Sequence, residues 1–187
     1  MDVFLLTLLL VFAIAFGGRD QLVLAGLAER LGRAPLLLAT GLACAAASAA
    51  LMAWLDSSFA ALLPYRAAQM LVAFALAAAA LELALPVRLR TAAEPTRSLG
   101  AIGLVLLARQ IGDAARFVVF AFAALAHYPV LSALGGGIGG AAALALGWTM
   151  GAETLARWPL PWWRRGLALC AFVAAIIIGL NARYAAA

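Results

Sequence analysis

Long apolar stretches alternate with short polar ones along the whole chain. Six of the apolar stretches reach the roughly 20 residues that a helix needs to cross a bilayer. The polar breaks between them carry Pro, Gly and charged residues, which are typical of helix ends and loops. The pattern predicts an all-α integral membrane protein with six transmembrane helices, at about 3–28, 36–55, 65–85, 99–125, 130–152 and 164–180.

The two halves of the chain resemble each other. The segment FGGRDQ, at 16–21, lies near the middle of the first predicted helix, and IGDAAR, at 111–116, lies near the middle of the fourth. A proline opens the next helix in each half, Pro35 and Pro129, so these features recur about 95 residues apart. Three helices per half is an odd number, so the halves must insert with opposite orientation. We therefore predict two inverted three-helix repeats.

The chain then divides into a first repeat at 1–85, a polar cytoplasmic linker at 86–98 and a second repeat at 99–187. Arginines are concentrated in the loops after the first, third and fifth helices. Because basic residues favour cytoplasmic loops, both termini are expected on the non-cytoplasmic side. A bacterial-type inner membrane is the expected location.

Composition narrows the class of protein. The chain has 187 residues, of which 67% are hydrophobic and only 11% charged, whereas a quarter charged is usual for soluble domains. The net charge of +5 comes from arginine alone. Arginines in cytoplasmic loops explain this positive charge better than binding to a nucleic acid does. Cys44 and Cys170 lie in apolar helices and indicate neither a disulfide nor a thiolate metal site. No nucleophile–base set or metal-ligand triad indicates an enzyme.

A few charges lie at membrane depth, where each costs about 2.5–3.5 kcal/mol on insertion scales. Such residues are candidates for a functional site by default. In an inverted repeat, a pseudo-two-fold axis would bring the two groups into one polar cavity. Glu82, near a helix end, is expected to reach the interface instead. The charges in or next to the two repeated segments are Arg19, Asp20, Arg109, Asp113 and Arg116.

The two segments resemble the paired motif of the small six-helix Golgi-type calcium/manganese–proton exchangers. That motif, E-x-G-D-[KR]-[ST] and often a following Gln, occurs once in the first helix of each repeat. In the first copy Gly17, Arg19 and Gln21 match. Alanine and glycine replace the motif's Glu and Asp, and Asp20 occupies the hydroxyl position.

The second copy keeps Gly112 and Asp113 of the motif. Gln110 replaces the Glu, and alanines occupy the basic and hydroxyl positions. The six-helix plan, the repeat and the polar central loop resemble the same family over nearly the whole chain.

The resemblance implies a secondary transporter that moves Mn²⁺ or Ca²⁺ out of the cytoplasm against protons. It implies Asp113 as the main ion and proton ligand, with Gln110 assisting and Asp20 as a shifted substitute. Gly17 and Gly112 would supply backbone carbonyls. Gln21 would be a further ion-binding residue. Beyond the transported ion no cofactor is expected, and the partners are the lipid bilayer and a small ion or solute. Oligomeric state is left open, a homo-oligomer included.

Two alternatives remain open on the sequence. The family's site implies four acidic residues, whereas two aspartates here face three arginines. Arg19, Arg109 and Arg116 could instead bind an anionic or zwitterionic substrate. The chain could also be a structural or regulatory subunit, with static pairs such as Arg19–Asp113 or Asp20–Arg116 locking its helices.

Overall fold

The computed structural model describes residues 2–87, 98–126 and 128–184, apart from the side chain of Ala60. Within these ranges the secondary structure consists of helices, with no strand. The helices are α1 Asp2–Ala15, α2 Arg19–Leu31, α3 Pro35–Leu62, α4 Tyr65–Ala84, α5 Leu99–Ile111, α6 Ala114–Ala126, α7 Pro129–Met150, α8 Ala152–Ala156 and α9 Leu160–Tyr184.

Four helices, α3, α4, α7 and α9, are long and apolar enough to cross a membrane. The α1–α2 pair qualifies as a fifth span, bent by 61° at its break. Helices α5 and α6 are apolar but have only 13 residues each. The prediction of an all-α membrane-embedded protein is confirmed at the level of four to five such spans. The six crossings and their inverted arrangement stay predictions.

The first and fourth predicted helices are each interrupted at their motif segment. The first breaks between α1 and α2, where Gly17 has φ +71°. Glycine adopts this left-handed conformation readily because it has no Cβ. The second breaks between α5 and α6, where the amides of Gly112 and Asp113 bond back to the carbonyls of Arg109 and Gln110.

Other predicted boundaries move by a few residues. Helix α3 continues to Leu62, and α9 begins at Leu160, so Trp162 and Trp163 lie in its first turn. The Trp163 indole donates a hydrogen bond to the Ala13 carbonyl of α1 over 2.9 Å. Most of the predicted linker, 88–97, and His127 lie outside the described residues.

The two halves interlock. Helix α7 packs against α1 and α2 of the first half, and α3 packs against α5 and α6 of the second. Helices at corresponding places in the two halves also contact each other, α3 with α7 and α4 with α9. One apolar core joins α1, α3, α4, α6 and α9, and a smaller one joins α2, α3, α5 and α7.

Glycines in α7 allow close approach of its neighbours. A side chain added at Gly135 or Gly139 would meet the backbone of α1 near Phe4 and Leu8. One added at Gly147 would meet the Gln21 side chain of α2. Small residues at such contacts are typical of helix packing in membranes. This close packing brings α7 up to the break in the first helix.

Candidate functional site

The two helix breaks meet at a small buried cavity of about 20 Å³. A cavity of this size has room for about one water molecule or one bare ion. Both motif segments, far apart in sequence, contribute to its walls together with α7. The lining residues are Ala15, Gly18, Asp20, Gln21, Gln110, Asp113, Arg116, Gly140 and Leu144.

The two aspartates each lie at the start of a half-helix. Asp20 is in the first turn of α2 and is only 9% exposed. Its Oδ2 atom is buried and has no hydrogen-bond partner among the described residues. Asp113 is half-buried and immediately precedes α6. The amide dipoles at a helix N-terminus favour negative charge, so both positions suit an ionised carboxylate.

The two glutamines hold the broken segments in place. Gln21 accepts a hydrogen bond from the Gly17 amide on its Oε1 over 2.6 Å. It donates from Nε2 to the Ala143 carbonyl of α7, also over 2.6 Å. On the other side of the cavity, Gln110 Oε1 accepts a hydrogen bond from the Ser48 hydroxyl of α3 over 2.9 Å. Both the oxygen and the nitrogen of the Gln21 side-chain amide are therefore engaged in positioning the break.

Arg116 places a positive charge in the cavity wall. It is 3% exposed and donates from Nε to Ser48 Oγ over 2.7 Å and from Nη1 to the Gly136 carbonyl over 3.3 Å. No ion pair joins Arg116 to Asp20 or Asp113 in the described part of the chain. The guanidinium is held by α3 and α7 and faces the carboxylates across the cavity.

A separate ion cluster centres on Glu82 of α4. Its Oε1 lies 3.4 Å from Arg19 Nε and 3.1 Å from Arg164 Nη2. The Arg164 Nη2 also donates to the Glu82 backbone carbonyl over 3.1 Å. The Glu82 side chain is 12% exposed. The pairing of Arg19 with Glu82 differs from the Arg19–Asp113 pair considered above.

The structure brings together five of the predicted site residues, Asp20, Gln21, Gln110, Asp113 and Arg116. Four others lie outside the cavity walls. Arg109 and Gly112 are exposed, Arg19 turns towards Glu82, and Gly17 contributes its amide to Gln21 rather than lining the cavity.

Sequence reasoning missed Ser48, which is fully buried and bonds to both Arg116 and Gln110. Its signal was weak, a single hydroxyl inside the alanine-rich stretch LACAAASAAL. It also missed Gly140, whose lack of a side chain leaves room for the Arg116 guanidinium.

The cavity offers two anionic ligands and one fixed cation. Within the described ranges, no group of three or more His, Cys, Asp or Glu residues converges as in a closed metal site. With both aspartates ionised and Arg116 charged, the cavity sums to one negative charge. With both aspartates protonated it sums to one positive charge. The charge of the cavity therefore depends on whether the two aspartates carry protons.

Comparison with family models, with curated proteins and with solved structures found no match for this chain. The resemblance to the calcium/manganese–proton exchangers therefore rests on the sequence pattern.

Proposed function

We propose that the chain is a secondary transporter that exchanges a small inorganic cation, Mn²⁺ or Ca²⁺, for protons and moves it out of the cytoplasm. The observation that carries the proposal is the meeting of Asp20 and Asp113 in one buried cavity at two helix breaks. A carboxylate oxygen of Asp20 has no hydrogen-bond partner there among the described residues. Such an oxygen is a ready acceptor for a proton or a cation.

The architecture supports the proposal. Secondary transporters typically bind substrate where interrupted helices from two repeats meet near the bilayer midplane. The α1–α2 and α5–α6 pairs would be the first spans of the two repeats, which gives six crossings. The contacts of α3 with α7 and of α4 with α9 join corresponding helices of the two halves. A pseudo-two-fold axis in the membrane plane would produce such contacts.

Charge balance supports exchange of two protons for one divalent cation. Two protons on Asp20 and Asp113 and one divalent cation on the ionised pair leave the cavity with the same net charge. Since burying extra charge in a membrane is expensive, two loaded states of equal charge would both be accessible. Exchange in this ratio is electroneutral and should not respond to membrane potential.

Arg116 would act as a fixed counter-charge. The related exchangers' motif implies four acidic ligands, and hard cations such as Ca²⁺ and Mn²⁺ prefer carboxylate oxygens. With two carboxylates beside a guanidinium, binding should be weaker and release easier. The hydrogen bonds of Arg116 to Ser48 and Gly136 keep its charge at the wall rather than at the centre.

The geometry favours this function over the two alternatives. Anion transport relied on three arginines, of which Arg19 and Arg109 do not line the cavity. The structural-subunit alternative named Arg19–Asp113 and Asp20–Arg116, and neither ion pair occurs among the described residues, where Glu82 pairs with Arg19 and Arg164 instead.

The experiment is proton flux in proteoliposomes that contain the purified full-length protein and a pH-sensitive dye. An imposed gradient of Mn²⁺ or Ca²⁺ should drive protons in the opposite direction, with the membrane potential clamped. Na⁺ serves as a monovalent comparison. Folded protein that gives no proton movement with Mn²⁺ or Ca²⁺, or that responds only to Na⁺, would overturn the proposal.

A further inference from the structure

A second, larger cavity of about 370 Å³ lies where α4 ends and α9 begins. Its walls include Ala156, Trp158, Arg164 and Arg165. It is distinct from the small cavity between the helix breaks, and the aspartates do not line it. Tryptophan and arginine together are typical of the membrane–water interface.

Arg164 contributes a largely buried guanidinium to this cavity wall. The residue is 4% exposed, and its Nη2 bonds to Glu82. Its Nε is buried without a hydrogen-bond partner among the described residues. An unsatisfied buried donor on a charged group is costly, so native structures normally supply an acceptor. The Oε2 of Glu82, which belongs to the same cluster, is also buried without a partner, so these two atoms do not by themselves require a ligand.

The charges around the cavity leave an excess of positive charge. Glu82 is shared between Arg164 and Arg19, so this cluster sums to one positive charge. Arg165 adds another, with its guanidinium carbon 5.5 Å from the centre of the Trp162 ring. Arginine side chains bind phosphate oxygens through paired, charge-assisted hydrogen bonds. Arg164 and Arg165 both line the cavity, and their positive charges suit such an anion.

We propose that this cavity binds a phosphate group through Arg164 and Arg165. The phosphate belongs either to an anionic lipid headgroup or to a free phosphate ion. Neither arginine lines the exchange cavity, so the site is a binding function separate from the proposed transport.

The test uses the purified, delipidated full-length protein in a neutral detergent. Binding of phosphatidylglycerol is followed by native mass spectrometry, with phosphatidylcholine as the neutral lipid and inorganic phosphate as the free anion. Thermal unfolding is followed in parallel. Arg164→Gln should weaken binding about tenfold, as expected for loss of a charge-assisted hydrogen bond.

Because Arg164 also pairs with Glu82, its variant could fail to fold. Arg165→Gln removes an exposed charge, and Ala156→Phe fills the cavity while leaving the Glu82 ion pairs in place. Both should fold and bind phosphatidylglycerol more weakly. Arg183→Gln, which removes an exposed arginine at the far end of α9, is the matched control and should bind normally.

The outcomes separate the sources of the phosphate. Selective binding of phosphatidylglycerol, weakened by the cavity variants, identifies a lipid site. Stabilisation by inorganic phosphate, lost in the same variants, identifies a free-anion site. Binding that is unaffected by Arg165→Gln and Ala156→Phe, or that Arg183→Gln weakens equally, would overturn the proposal. None of these results depends on transport activity.

Discussion

Arg116 of α6 donates a hydrogen bond from its Nε to the hydroxyl of Ser48 on α3, over 2.7 Å. The same hydroxyl donates to Gln110 of α5 over 2.9 Å. One small side chain therefore links the two halves of the second broken helix across its break. Ser48 therefore helps to position both the Arg116 guanidinium in the cavity wall and the motif residue Gln110.

Replacing Ser48 by alanine should destabilise the protein. The change leaves Arg116 Nε and Gln110 Oε1 without their partner, which typically costs about 1–3 kcal/mol for a buried polar group. Denaturant titration in detergent micelles measures the free energy of unfolding. Ser57→Ala is the matched control, since that exposed hydroxyl bonds only to its own helix. Equal stability of the two variants would show that the Ser48 link contributes little.

Replacing Asp20 by asparagine should remove exchange without removing the fold. The Asp20 Oδ2 has no hydrogen-bond partner to lose among the described residues, and the change removes a charge at membrane depth. Thermal unfolding should stay close to that of the unmodified protein, while cation-driven proton flux is lost. A variant that unfolds at much lower temperature, with normal flux per folded molecule, would assign Asp20 a structural role.

Replacing Arg19 by alanine separates cation exchange from anion transport. The Arg19 side chain is 38% exposed and points to Glu82, which keeps Arg164 as a partner. Because a partly exposed ion pair contributes little, cation-driven flux should stay within about twofold of the unmodified protein. An anion carrier that uses Arg19 would instead lose transport of its substrate. Uptake of labelled phosphate or carboxylate solutes checks that outcome.

Replacing Gly139 by alanine should weaken the contact between α7 and α1. The added Cβ would meet the Leu8 carbonyl of α1, and overpacking of this kind costs about 1–3 kcal/mol. Gly26→Ala is the control, because an added Cβ there meets nothing nearby. That change should be neutral or should stabilise α2 by about 0.5–1 kcal/mol. Denaturant titration of both variants should rank Gly139→Ala as the less stable, and the reverse order would contradict the packing.

The sequence predicted the membrane class and most of the helices because apolar length is a strong and local signal. It pointed to the motif glycines but gave neither the exact position nor the angle of the helix breaks, since the segments around Gly17 and Gly112 remain apolar on both sides. A left-handed glycine such as Gly17 is a backbone property that hydropathy does not report. Only the charges and glycines marked these places as unusual.

The candidate site was predictable where two repeated segments carried charges, and less so where it depends on tertiary contacts. Asp20, Asp113 and Arg116 line one cavity, as the repeat suggested. Arg19 directly precedes Asp20 in the sequence but faces a different cluster, the one around Glu82. Adjacent residues on a helix point about 100° apart. Glu82, the partner of Arg19, comes from another helix, and no local pattern could pair them.

The most direct test compares Asp113→Asn with the unmodified protein in the proteoliposome assay. Asp2→Asn, which changes an exposed aspartate at the start of α1, is the matched control. The proposed exchange predicts that a Mn²⁺ or Ca²⁺ gradient drives protons in the unmodified protein and in Asp2→Asn. The same gradient should give only the signal of empty liposomes in folded Asp113→Asn. Proton flux that persists unchanged in Asp113→Asn would contradict a carboxylate-based exchange site at the two helix breaks.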